Sequence, residues 1–158
     1  TWQKVKHIIP SDKLKTIYLE TAQQMASLNI HSATKMHSHQ AHACTDVTGF
    51  GILGHAQNLV SFQKSNVDFV IHTLPLITYS KELAEECGID FKLFDGLCAE
   101  TSGGLLICMP KEQAELFCLE MISSNGQDRA WIVGEVVDGN RRAFITSNPK
   151  LLAVNPIF

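Results

Sequence analysis

The chain has 158 residues, 45% of them hydrophobic and 18% charged, with a formal net charge of −3 at pH 7. That length and composition fit one globular domain and exclude a disordered or fibrous chain. No apolar run is long enough to cross a bilayer, the start TWQKVKHIIP lacks the layout of a signal peptide, and Lys and Arg are scattered, so neither membrane nor nucleic acid is an expected partner.

Ser11-Asp12 offers a cap for a helix with Leu14, Ile17, Tyr18, Ala22, Met25 and Leu28 at threes and fours along one face, which packs within the domain or against a further one. Residues 31–42 (HSATKMHSHQAH) are polar, carry four histidines, and read as a second short helix or a loop. The stretch HACTDVTGFGILGH (42–55) reads as a strand edge, a glycine turn at 48–51, and a helix through about residue 59 or 60. VDFVIHTLP (67–75) alternates between Asn66 and Pro75, as a strand does. KELAEECG (81–88) reads as a helix closed by Gly88. LLICM (105–109) is a short apolar strand stopped by Pro110, and KEQAELFCLEMI (111–122) resumes helical periodicity.

AWIVGEVV (130–137) and RRAFITS (141–147) flank Asp138-Gly139-Asn140, which predicts a hairpin, and the tail PKLLAVNPIF predicts an added edge strand. Helices alternating with strands, plus one hairpin, predict an α/β (α+β) domain: a mixed sheet covered by helices rather than a purely parallel one. Trp131 and Phe144 read as packing residues.

The five cysteines, Cys44, Cys87, Cys98, Cys108 and Cys118, are odd in number and form no CxxC pair. They point to reduced thiols of a cytoplasmic protein rather than to a disulfide frame or a zinc site. The first residue is Thr1 rather than Met, and a piece of a longer protein is expected.

Asp46 carries the most distinctive chemistry. A carboxylate at a strand end, beside a glycine turn that opens a helix, can hold a hard cation such as Mg2+, which takes oxygen ligands from one or two carboxylates and from substrate phosphate. Gly49 and Gly51 let the backbone approach a ligand, and the amides that start the helix favour an anion. The plainer reading is that Asp46 caps the helix and the glycines make a tight turn; spacing leaves both open. The stretch is neither a Walker A loop nor a GxGxxG turn. A second loop, Glu100-Thr101-Ser102-Gly103-Gly104, precedes LLICM. Hydroxyls followed by paired glycines can form a phosphate-facing nest, or merely a polar turn into a buried strand.

Cys44, two residues before Asp46, reads as a buried inert thiol rather than a nucleophile, and Cys108 and Cys118 fall on apolar faces. His37, His39, His42 and His55 lack thiolate or carboxylate partners in register for a zinc site. His42 and His55 orient the Asp46 loop, contact substrate or hydrogen-bond backbone, and the last is favoured.

AHACTDVTGFGILGHAQNL (41–59) and AETSGGLLICMPKEQA (99–114) closely resemble selenophosphate synthetase (selenide, water dikinase), particularly its eukaryotic forms. The resemblance runs through VDFVIHTLP, AWIVGEV and RRAFI into the tail. It covers essentially the whole chain but only the C-terminal half of that enzyme. Aminoimidazole ribonucleotide synthetase and thiamine monophosphate kinase share the architecture without the combination TGFGILGH. The resemblance implies that residues 1–158 are an aminoimidazole ribonucleotide synthetase-like C-terminal domain of a two-domain enzyme. That enzyme makes selenophosphate from selenide and ATP, with Mg2+ as cofactor and with release of AMP and phosphate.

By the same resemblance, the ATP site, the reactive Cys or selenocysteine and a lysine belong to an N-terminal domain absent here. No catalytic residue lies in this chain, and the aspartate matched by Asp46 reaches the metal site. Thr45, Thr48, Gly49, Gly51, Thr101, Ser102, Gly103 and Gly104 are then the expected phosphate- or substrate-facing residues. The full-length protein is expected to be a cytoplasmic homodimer, and the isolated chain to turn over no ATP. Two other readings remain: a non-catalytic regulatory paralogue, whose distinguishing residue lies upstream, and a different ATP-dependent enzyme of the superfamily. The intact TDVTGFG and ETSGGLL loops argue against the latter.

Overall fold

The computed structural model describes Val5, His7 and residues 9–88, 91–125 and 129–154, the side chains of residues 87, 124 and 125 excepted. Helices α1 (Ser11–Ala26) and α2 (Ile30–Lys35) precede β1 (Ala43–Asp46), α3 (Gly51–Ser61), β2 (Val67–Ile77) and α4 (Ser80–Cys87). Then follow β3 (Leu105–Cys108), α5 (Lys111–Asn125), β4 (Gly134–Asp138) and β5 (Ala143–Val154). The mixed α/β class expected from the sequence is what forms. Its strands divide between two sheets, an antiparallel β1-β3 pair and a three-stranded sheet in the order β4-β2-β5. Against β2, β4 runs antiparallel and β5 parallel, which makes the larger sheet mixed. Among the described residues no helix is long and apolar enough to cross a membrane.

Apolar side chains at threes and fours put one face of α3 into the core. Ala56 and Val60 are wholly buried there against Phe69, Ile71 and Leu74, with Ile52, Leu53 and Ile145 packed around them. Leu106 and Cys108 of β3 reach the same cluster, and α3 also touches β1. One helix therefore ties the small sheet to the large one, which matters because a two-stranded ribbon has little stability alone.

The α1 cap differs from expectation. Pro10 is the N-cap, with an extended ψ of 141°, Ser11 is already helical, and no side chain bonds the helix start. Leu14 is buried with Val5 and Ile9, and Ile17, Tyr79 and Leu83 pack around them. Of the rest of the predicted apolar face, Ala22 is half-buried, while Tyr18, Met25 and Leu28 are exposed. Trp131 and Phe144, expected to pack, are exposed as well. Gly88 closes α4 as expected, in the left-handed conformation at φ 60° that glycine adopts without strain.

The predicted hairpin does not form. β4 and β5 never pair, because β2 lies between them, and residues 139–142 step across the start of β2 from one edge of the sheet to the other. Asp68 makes this step. Its carboxylate accepts the amide N–H of Asn140 at 2.7 Å and of Arg142 at 2.9 Å. The Gly139 and Arg141 amides bond the Asn66 and Val67 carbonyls. Gly139 passes so close that an added Cβ would lie 2.1 Å from the Asp68 carboxyl carbon. The tail strand is real but belongs to β5: Lys150 to Val154 pair with Thr73 to Ile77 after a register shift. Residues 155–158 lie outside the described residues.

The Arg142 amide first, and then that of Asn140, hold the Asp68 carboxyl below the usual carboxylate range. A carboxylate of lowered pKa stabilises the fold above its unfolded-state pKa, about 3.9, and ceases to as pH falls through the lower folded-state value. Asp68→Ala is expected to lower the thermal midpoint at pH 7 and to flatten its decline below about pH 4. Gly139→Ala is expected to cost about 1–3 kcal/mol by overpacking. Circular dichroism melts across pH check both, and an Asp68→Ala protein that tracks the parent at every pH refutes the role given to this carboxylate.

Candidate functional site

Because β1 and β3 are antiparallel, with Asp46 opposite Leu105, the chain leaving β1 passes the chain leading into β3. Residues 47–51 and 100–104 therefore lie side by side at one end of the ladder. Backbone bonds stitch them together: the Val47 amide donates to the Gly104 carbonyl at 3.0 Å, and the Glu100 amide to the Thr48 carbonyl at 2.9 Å. Gly103 fits only without a side chain, since a Cβ would stand 2.2 Å from the Val47 carbonyl oxygen and 2.6 Å from a Glu100 carboxyl oxygen. Burial of its carboxyl raises the Glu100 pKa, although the residue as a whole is exposed. On the far side, Asn29 Nδ2 donates to the Gly103 carbonyl at 3.0 Å.

Strand alternation settles where Asp46 faces. Leu106 and Cys108 join the core, and Thr45 and Ala43 stand opposite them, so Asp46 and Cys44 project from the other face. Asp46 is exposed, and its carboxylate makes no hydrogen bond or ion pair among the described residues. It does not cap α3, whose N-cap is Phe50 with no side-chain bond. The capping alternative is thus removed, and the carboxylate stays available.

The turn after it is internally braced. The Gly51 amide bonds the Thr48 carbonyl at 3.1 Å. His55 Nε2 accepts the Phe50 amide at 3.4 Å and lies 3.1 Å from the Thr48 hydroxyl, which assigns the ring proton to Nδ1. Gly51 has φ +67°, and a Cβ on it would meet the Gly96 and Cys98 carbonyls at 2.5 and 2.8 Å. Its missing side chain therefore accommodates the 96–98 segment. The Leu53 amide also donates to the Gly96 carbonyl, at 2.9 Å. The expectation of free amides at the start of α3 is corrected accordingly, since those of Phe50, Gly51 and Leu53 are committed within the chain.

The amides of Thr48, Gly49, Thr101, Ser102 and Gly103 have no hydrogen-bond partner among the described residues. Ser102 adopts a left-handed φ of 51°, and nothing lies within 4 Å of a Cβ built on Gly49 or Gly104. Thr45 turns its hydroxyl to the Asp46 carbonyl at 3.1 Å. The site residues predicted from sequence are therefore brought to one end of one ladder, with Gly51 facing inward and Thr48 tied to His55. His42 is exposed, and its amide donates to the Cys108 carbonyl. His39 is buried between Gln113 and Glu120. No group of three His, Cys, Asp or Glu among the described residues is placed to hold a metal.

Asn29 and Glu100 were not legible as site residues, whereas the favoured reading of His55, a hydrogen bond to backbone, is what forms. Asn29 offered only the look of a helix cap, and Glu100 only its place at the head of the second loop.

The four described thiols are poor nucleophiles. Burial pushes Cys108 up to about 11, with the Cys44 thiol adding to it. Burial raises Cys44 as well, helped by the Asp46 charge, and raises Cys98, helped by Glu100, and Cys118. Only the thiolate reacts, so alkylation of the native chain at pH 8 is expected to leave Cys108 modified last, and unfolding to equalise the rates. Peptide mapping reads this, and early modification of Cys108 overturns it.

A family model described as AIR synthase related protein, C-terminal domain, matches residues 1–146. A Mus musculus protein named selenide, water dikinase 2 is 48% identical over 157 residues, covering 98% of this chain and 34% of its own length. Selenide, water dikinase 3 of Danio rerio is 46% identical over 166 residues, covering 97% and 37%. Selenide, water dikinase of Dictyostelium discoideum is 42% identical over 162 residues, covering 98% and 44%. The chain thus spans less than half the length of each of these relatives.

Proposed function

Because this chain belongs to the family of AIR synthase related proteins, as its C-terminal domain, we propose that it is the C-terminal half of a selenophosphate synthetase. That enzyme makes selenophosphate from selenide and ATP and releases AMP and phosphate. The observation that carries this reading is an exposed Asp46 carboxylate, without a partner among the described residues, beside a rim of unused amides. Phosphoryl transfer asks a protein chiefly to position the phosphates and to stabilise spreading negative charge. Those two kinds of group divide that work between cation and anion.

A carboxylate of this kind fits Mg2+, which is held by few protein oxygens together with phosphate and water. Asp46 would supply one ligand from this chain, and the other ligands come from elsewhere in the full-length protein. When bound, Mg2+ neutralises charge on the nucleotide phosphates. Thr48, Gly49, Thr101, Ser102 and Gly103 would offer amides to phosphate oxygens, with Thr45, Gly51 and Gly104 shaping the two loops around them. The nucleotide-binding surface, the reactive Cys or selenocysteine and the lysine lie in the remaining part. The free thiols of Cys44, Cys98, Cys108 and Cys118 support a reducing, cytoplasmic setting, and the proposal extends to a homodimer of the full-length protein.

In that protein, Asp46→Asn is expected to lower Mg2+-dependent ATP hydrolysis on the order of tenfold or more. An unchanged rate across a Mg2+ titration overturns the role of Asp46. The isolated chain is expected to turn over no ATP, and a turnover abolished by Asp46→Asn in this chain overturns the view that it holds half a site. Selenide-dependent AMP formation distinguishes the synthetase from a regulatory paralogue, which hydrolyses or binds ATP without it.

A further inference from the structure

Asn29 occupies the N-cap position of α2, yet its side chain makes no capping bond there, although asparagine is among the residues most favoured for that purpose. Its carbonyl starts the helix by accepting the Ala33 amide at 2.9 Å, which pins its backbone. Its side-chain amide instead crosses to the Gly103 carbonyl, 74 positions away in sequence. The Val47 carbonyl and the Glu100 carboxyl leave no room for a side chain at Gly103. The loop has few restraints of its own: the Thr101, Ser102 and Gly103 amides are unused, and Ser102 is left-handed. Among the described residues, the Asn29 bond is the only side-chain hydrogen bond to residues 101–104.

We propose that Asn29 is a positioning residue for the phosphate-binding loop, its side-chain amide holding residues 101–103 in place beside Asp46. This rests on the functional reading above. Amides help an anion only when they are fixed in advance, because otherwise binding must order them. The bond from α2 supplies that order from outside the loop and leaves the loop's own donors free. Asn29 does not touch phosphate; it acts through the Gly103 peptide.

The test uses the full-length protein with Asn29→Ala and with Asn29→Asp, which is isosteric at a half-buried position and replaces the donor by a charge. Both variants are expected to raise the KM for ATP about fivefold or more, Asn29→Asp further, with kcat changed less. The thermal midpoint is expected to move by no more than about 2 °C. Hydrogen exchange at residues 101–103 is expected to quicken while residues 105–108 keep their protection. A KM for ATP within about twofold of the parent in both variants overturns the proposal, as does a fall in kcat and midpoint with KM unchanged, which marks a role in folding alone. The parent and Asp46→Asn serve as reference: normal parent turnover with a damaged Asp46→Asn and silent Asn29 variants overturns only this inference. A parent without ATP turnover overturns the functional reading and this inference together.

Discussion

Four residue pairs, from Ala43 opposite Cys108 to Asp46 opposite Leu105, hold β1 against β3, and opposite strand directions force the chain leaving one past the chain leading into the other. That crossing brings together two glycine-bearing loops separated by about fifty positions. The ribbon is too small to stand alone, and α3 secures it by packing on β1 and on the larger sheet. A shift of one residue in this register would turn Asp46 into the core and Thr45 out of it. The burial of Leu106 and Cys108 on the core side opposes such a shift.

At the end of that ladder the backbone donors fall into two groups. Those of Val47, Phe50, Gly51, Leu53 and Glu100 are bonded within the chain, and they set the shape of the two loops. Those of Thr48, Gly49, Thr101, Ser102 and Gly103 are not. A polar rim built this way is rigid where it is bonded and available where it is not, as an anion site requires. Gly51 belongs to the first group despite the look of a ligand-facing glycine, because other backbone already fills the space beside it.

Two aspartates on strands show how context assigns a carboxylate its work. Asp68 is buried under the 139–142 step, bonded to two amides, and its charge is consumed in holding that step. Asp46 is exposed on the ribbon face away from the core, and its carboxylate is bonded to nothing among the described residues. Both sit on strands, and composition treats them alike. The difference is which face of which sheet each one occupies.

Much of the local structure was legible from the chain. The strand edge at 43–46, the glycine turn, α3, the glycine closure of α4 and the apolar strand at 105–108 follow from periodicity and turn chemistry, which act between neighbours. The class, a mixed α/β domain, follows from their order. The pairing of strands did not follow: Asp138-Gly139-Asn140 has the local chemistry of a hairpin, yet β2 lies between its strands, because a buried Asp68 far earlier in the chain supplies the bonds that a neighbouring strand would have made. Likewise Asp46 was recognisable as unusual, but its freedom, the inward turn of Gly51 and the reach of Asn29 to Gly103 depend on contacts between distant segments. Sequence fixes what each segment prefers to be; only the folded chain, by deciding which polar groups find partners, settles which remain open to a ligand.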